Sequence, residues 1–152
     1  MKIRPSVSND IPSLQHVAER TGLFPSDLLP DMINGFLSDG DENSLWLTCE
    51  EDSRITGFCY AMEETFTDGT WNMLALAVLP DRQGNGIGRA IVTTLERLLR
   101  DKHNRVLIVD TSGTESFAGT RSFYERCGYA EEARIRDFWG PGDDKIVFWK
   151  AL

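Results

Sequence analysis

The order of elements predicts an α/β fold: one mixed, mostly antiparallel sheet with helices on its faces. Three observations carry that expectation. Residues 73–79 (Met-Leu-Ala-Leu-Ala-Val-Leu) form an unbroken apolar run of strand length closed by Pro80, which reads as a strand buried on both faces near the middle of a sheet. Beyond a glycine-rich loop, Ile87, Ala90, Ile91, Thr94, Leu95, Leu98 and Leu99 recur at helical spacing and make one apolar stripe. On either side of this unit, strand-like runs are joined by short polar turns, the mark of antiparallel neighbours.

In order, residues 2–7 read as a short opening strand that Pro5 confines to an edge or an early end. Ser8 or Asn9 caps a first helix, with Asp10 in its first turn and Ile11, Leu14, Val17 and Ala18 on its apolar side. A second helix follows Pro25-Ser26-Asp27, buries Leu29, Met32, Ile33, Phe36 and Leu37, and is broken by Asp39-Gly40-Asp41. Strands at 45–50 and 55–62 flank the turn Glu51-Asp52-Ser53-Arg54, and Thr67-Asp68-Gly69 turns the chain into the central strand. With the hairpin centred on Asp52 and Ser53, Cys49 faces Thr56 and not Cys59. After the central helix, residues 105–110 make a strand reached by a helical crossover, hence parallel to its predecessor. A helix around 117–127 then ends at Gly128, a position suited to a left-handed cap. Residues 133–139 and 145–150 close the chain as a hairpin about Gly140-Pro141-Gly142-Asp143-Asp144. No repeat or linker interrupts the 152 residues, which read as one domain.

Composition narrows the function. The formal net charge of −8 argues against nucleic acid as a partner, since phosphate backbones call for clustered Lys and Arg. It suits a cationic substrate such as an amine. No run approaches the ~18 apolar residues of a membrane span, and the N-terminus has no signal-peptide pattern. Three cysteines without C-x-x-C spacing argue against a disulfide framework or a metal site and fit a reducing cytoplasm.

Chemistry concentrates in Arg82-Gln83-Gly84-Asn85-Gly86-Ile87-Gly88-Arg89. Alternating glycines let the backbone approach a ligand closely, and the first amides of the following helix lack intrahelical partners. With the helix dipole, these make an anion site suited to phosphate. A dinucleotide-binding unit competes for the same glycines, with Asp110 as its acidic residue. It fails because Arg89 stands where the third glycine belongs, the strand-to-glycine turn is too long, and the chain ends in hairpin strands.

Residues 77–88 and Phe123-Tyr124-Glu125-Arg126-Cys127-Gly128-Tyr129 together resemble the GNAT superfamily of acetyl-CoA-dependent N-acetyltransferases. Gln83-x-x-Gly86-x-Gly88 is similar to that family's pyrophosphate-binding signature, and the later segment to its F-Y-E-x-x-G-F motif. The likeness in element order spans almost the whole chain. It implies a GNAT-like sheet of six to seven strands with about four helices, splayed between the fourth and fifth strands. It further implies that the backbone of Leu76, Ala77 and Val78 binds the pantetheine arm, with an amide of Ala77 or Val78 polarising the thioester. Amides across Gln83, Gly84, Asn85, Gly86, Ile87, Gly88 and Arg89 would hold the pyrophosphate.

The implied reaction is acetyl transfer from acetyl-CoA to a primary amine, of a small molecule or a peptide, by direct attack in a ternary complex and without a metal. Tyr124 is the implied general acid. The central strand lacks the glutamate that some relatives carry, which leaves Glu64, Asp110 or a water relay as the base, with Glu63 a further candidate. Phe117 replaces an asparagine that contacts the cofactor in many relatives; Arg121 is a substitute contact, and Trp139 a wall of the acceptor site. A homodimer is the family-level expectation. The alternative is a non-catalytic module that binds acetyl-CoA as a sensor, which the intact Tyr124 motif disfavours.

Overall fold

A computed structural model describes residues 1–38 and 40–152; Asp39, within the expected helix stop, lies outside the described residues. The elements run β1 (Lys2–Pro5), α1 (Ile11–Thr21), α2 (Leu29–Ser38), β2 (Ser44–Glu51), β3 (Arg54–Glu63), β4 (Thr70–Val78), α3 (Ile87–Asp101), β5 (Val106–Ser112), α4 (Ala118–Arg126), β6 (Ala130–Gly140) and β7 (Asp143–Ala151). Seven strands form one sheet in the order β1-β2-β3-β4-β5-β7-β6. β4 is its middle strand, as its two apolar faces require. All neighbours are antiparallel except β4 and β5, joined by the α3 crossover.

Two cores form because a bulge at Leu74 interrupts strand alternation along β4 and reverses its faces. Ala75 and Ala77 of β4 pack with Trp46, Phe58 and Leu79 under α1 and α2, where Leu14, Val17, Leu29 and Ile33 are buried. Trp71 and Met73 face the other way, into a core with Leu107, Phe148, Tyr124 and the α3 residues Ile87, Ile91, Val92, Leu95 and Leu99. The buried stripe of α3 also takes in Val92 and Glu96, outside the stripe read from the sequence.

Two local expectations change. Neither Ser8 nor Asn9 caps α1: both lie in a 3₁₀ turn (Ser8–Asp10) before it, Asp10 stands at the N-cap position, and its carboxylate reaches back to accept from Val7 N (2.8 Å) and from Arg4 (2.7 and 2.9 Å). The β2–β3 hairpin does turn at Asp52 and Ser53, both left-handed (φ 48° and 64°). A bulge between Cys49 and Glu50 then moves Cys49 opposite Gly57 instead of Thr56, while Cys59 faces Leu47. Thr56 still donates its hydroxyl to Cys49 Sγ (3.7 Å).

The sheet splits at its centre. β4 and β5 are in register only from Thr70–Val106 to Met73–Val109. Past that point β4 stays with β3 while β5 stays with β7 as far as Ser112. A bulge on β4 at the parting point turns Leu74 out to half exposure. Gly57 allows close approach on the other side of β4, since a Cβ there would lie 2.8 Å from Ala77 O.

Candidate active site

The parted strands open a cleft of about 600 Å³ between the free edge of β4, the glycine loop and α4. Leu79 N donates to Thr56 O of the β3 side, and Ala77 O also points to β3 at Gly57. Alternation along the strand then turns the peptide groups of Leu76 and Val78 to the free edge. Both residues line the cleft and Ala77 does not. Of the two amides expected to face a thioester, that of Val78 is on the free edge and that of Ala77 is in the ladder with β3.

Gly84 and Gly86 are left-handed (φ 79° and 80°), with nothing within 4 Å of a Cβ built on either. Gly86 is the N-cap of α3, so no side chain caps this helix. The first helical amide to find a carbonyl is Ala90 N, on Gly86 O (3.0 Å). The amides of Ile87, Gly88 and Arg89 are thus the unpaired donors of the first turn, and all three residues line the cleft. Gly88 also lets α4 approach, since a Cβ there would touch the Phe123 ring at 3.4 Å. The two side-chain amides of the loop are used internally: Gln83 Nε2 donates to Val78 O (3.0 Å), and Asn85 Nδ2 to Arg82 O and Gln83 O. Asn85 is outside the cleft lining. Arg82 lines it but pairs with Glu51 (2.9 Å), whereas Arg89 has no ion-pair partner among the described residues. An anion of phosphate size fits this cradle of bare amides, positive φ and one uncommitted guanidinium.

The opposite wall is α4. Tyr124 is 6% exposed and packs against Phe123, Tyr129 and Phe148 with ring centroids 5.2, 5.9 and 5.7 Å away. It nonetheless lines the cleft, and its hydroxyl has no hydrogen bond among the described residues. Burial raises the phenol above its ordinary pKa, and the neighbouring Cys127 and Cys59 add to this. Phe117, at the N-cap of α4, is 44% exposed. Arg121 is spent on structure: its Nη1 donates to Ser112 O (2.8 Å) and Thr114 O (2.7 Å). Ser116, Gly119, Thr120, Arg126 and Cys127 complete this wall. Sequence reading passed over them as contacts, although their spacing along one helix face was a usable signal.

Glu64 and Asp110 lie on neither wall. Asn72 alternates with Trp71 and Met73, so it projects to the sheet face opposite the α3 core. There its Nδ2 donates to Glu64 Oε1 (3.1 Å) and to Asp110 Oδ2 (3.2 Å), joining two acids that sequence separates widely. Lys145 pairs with the same Asp110 oxygen at 3.3 Å and sits 4.3 Å over the Phe138 ring. Asn72 Oδ1 and Asp110 Oδ1 are buried without partners among the described residues. Trp139 is half exposed and donates its indole N–H to Thr111 O (3.2 Å). The carboxylates therefore flank the split from one face of the sheet and the cleft from the other. Among the described residues, no group of three or more acidic, His or Cys side chains is placed to hold a metal, and no helix is long and apolar enough to cross a membrane.

Known proteins share this fold. The family model described as an Acetyltransferase (GNAT) domain matches residues 42–131. A GNAT-family structure from Desulfovibrio desulfuricans superposes with a TM-score of 0.92 at 31% identity, covering 99% of this chain and 98% of its own. An aminoglycoside 6'-N-acetyltransferase solved with coenzyme A matches with a TM-score of 0.81 at 18% identity, covering 99% and 97%. In sequence, the aminoglycoside N(6')-acetyltransferase type 1 of Stenotrophomonas maltophilia is 28% identical over 130 residues, 80% of this chain and 82% of that one. The parted central strands, the bare-amide loop and the matched domain lead to one conclusion: this chain belongs to the GNAT family of acetyltransferases.

Proposed function

We propose that the protein transfers an acetyl group from acetyl-CoA to a primary amine, donor and acceptor meeting at the gap between β4 and β5. The observation that carries this reading is the pairing of a cleft lined by unpaired backbone amides with a carboxylate pair on the opposite face of the same gap. The amides of Ile87, Gly88 and Arg89 receive the pyrophosphate of the donor, with Arg89 adding charge. The free edge of β4 at Leu76 and Val78 aligns the pantetheine arm as an added strand. The Val78 amide then polarises the thioester carbonyl and stabilises charge developing on its oxygen.

The acceptor must lose a proton. At pH 7, a free amine with a pKa near 10.4 pays about 4–5 kcal/mol to be neutral. Glu64 and Asp110, aligned by Asn72, are the groups that take this proton directly or through water. Asp110 shares an oxygen with Lys145, so Glu64 is the freer of the two. Tyr124 is the acid for the departing thiolate. Because burial weakens it as an acid, it shares its proton with sulfur as the C–S bond breaks and not before. The relatives named for aminoglycosides make an amino sugar a natural first acceptor to try, and the acidic surface suits such a cation.

The test is thiol release from acetyl-CoA across a panel of amino sugars, polyamines and peptide N-termini. Amine-dependent release supports the reading. Release independent of any amine, or none with bound acetyl-CoA, contradicts it.

A further inference from the structure

Glu96 is buried on α3, 5% exposed, in the middle of an apolar core. Lys150 of β7 donates to both its oxygens (3.0 Å each), and the Tyr129 hydroxyl donates to Oε1 (2.8 Å). The remaining ammonium proton of Lys150 goes to Cys127 O (2.8 Å), the carbonyl at the end of α4. All three donors are thereby used. A largely buried ion pair of this kind contributes little net stability compared with apolar residues of equal volume, so stability alone does not account for it.

Its connections lead to Tyr124. Tyr129 N donates to Tyr124 O (3.0 Å), and the two rings meet edge to face. Helix α4 needs such support, because Tyr124 is its one buried residue. Arg121 ties the start of α4 to the end of β5 through Ser112 O and Thr114 O. The Glu96–Lys150–Tyr129 cluster ties its other end to α3, the helix whose first turn forms the facing wall of the cleft. We infer that Glu96, Lys150 and Tyr129 form a strut spanning α3, α4 and β7 that aims the Tyr124 hydroxyl at the donor sulfur. These are positioning residues, and their role rests on the proposed role of Tyr124.

The test replaces the strut by apolar residues of similar volume, Glu96→Leu with Lys150→Met, in protein labelled with 3-fluorotyrosine. The chain has three tyrosines, so Tyr124→Phe assigns the Tyr124 resonance. In the parent, coenzyme A shifts that resonance. In the double variant, coenzyme A affinity stays within about threefold and thermal stability is retained, yet the Tyr124 shift is lost. Turnover with an amine from the panel falls roughly tenfold to a hundredfold, but by less than about twofold when Tyr124 is already Phe. Lys150→Arg alone, with Glu96 in place, keeps donors for both the carboxylate and Cys127 O and retains most of the shift. Should the double variant fail to fold, Tyr129→Phe removes one hydrogen bond of the strut and produces a smaller loss of the same shift. A Tyr124 resonance that responds to coenzyme A equally in parent and strut variants overturns the inference and leaves the acid role intact. A parent resonance that does not respond overturns the acid role, and the strut's purpose with it.

Discussion

Replacing Gly86 by Ala separates the conformational role of the glycine loop from its binding role. Gly86 is left-handed at φ 80°, and a Cβ built on it meets nothing within 4 Å. The cost to folding is therefore that of the backbone conformation alone, about 1–2 kcal/mol for an L residue. Gly22, which closes α1 at φ 65°, offers the matched control: it is equally left-handed, equally open and absent from the cleft. Both variants are expected to lower Tm by about 2–8 °C in a chain of this size. Only at Gly86 does the new methyl stand in the cradle beneath which the amides of Ile87, Gly88 and Arg89 open. Losing one or two charge-assisted hydrogen bonds there, at roughly 1.5–3 kcal/mol each, weakens coenzyme A binding by about tenfold or more. Calorimetric titration beside thermal melts reads both quantities. Equal coenzyme A affinity in the two variants would refute the assignment of those amides to a phosphate.

Three other substitutions test separate parts of the structure. Tyr124→Phe removes a hydroxyl with no hydrogen-bond partner among the described residues, so Tm and coenzyme A affinity hold while turnover falls by about 10²-fold or more; unchanged steady-state kinetics would exclude the acid role. Gly57→Ala drives a methyl to within 2.8 Å of Ala77 O; prising β3 from β4 costs about 1–3 kcal/mol, read by denaturant unfolding. At Asp10, burial alone would raise the carboxyl pKa, but hydrogen bonds from Arg4, Val7 N and Thr48, with the Arg4 charge, bring it below the usual range. A depressed folded pKa gives stability that is present at neutral pH and lost as pH falls through the folded value. Asp10→Asn is therefore less stable than the parent by roughly 2 kcal/mol at pH 7, and the two curves converge in acid below about pH 4. A gap constant across that range would rule out the linkage.

Much of this site was legible because its signals are local. Spacing placed α3, composition marked its glycine loop, and the run at 73–79 marked a central strand. What escaped was set by register and by partners distant in sequence. One bulged residue on β4 fixes which peptide edges face the cleft, and no pattern at 73–79 discloses whether Ala77 or Val78 is on that edge. Asn72 reads as a polar blemish in a strand until β3 and β5 bring Glu64 and Asp110 to it. Glu96 looks like an ordinary solvated helix charge because Lys150 and Tyr129, which bury it, come much later in the chain. The partners of Arg121 are hidden in the same way: its Nη1 donates to the carbonyls of Ser112 and Thr114, which no sequence pattern discloses.

In the proposed function, main-chain groups of the free β4 edge and of the first turn of α3 hold the donor. Backbone amide NMR during a coenzyme A titration tests it most directly. The account predicts that the amides of Val78, Ile87, Gly88 and Arg89 shift together with one saturating affinity, while those of Arg4 and His16, in the groove beside β1, stay still. Shifts that spare these four amides, or no saturation at millimolar coenzyme A, would contradict it.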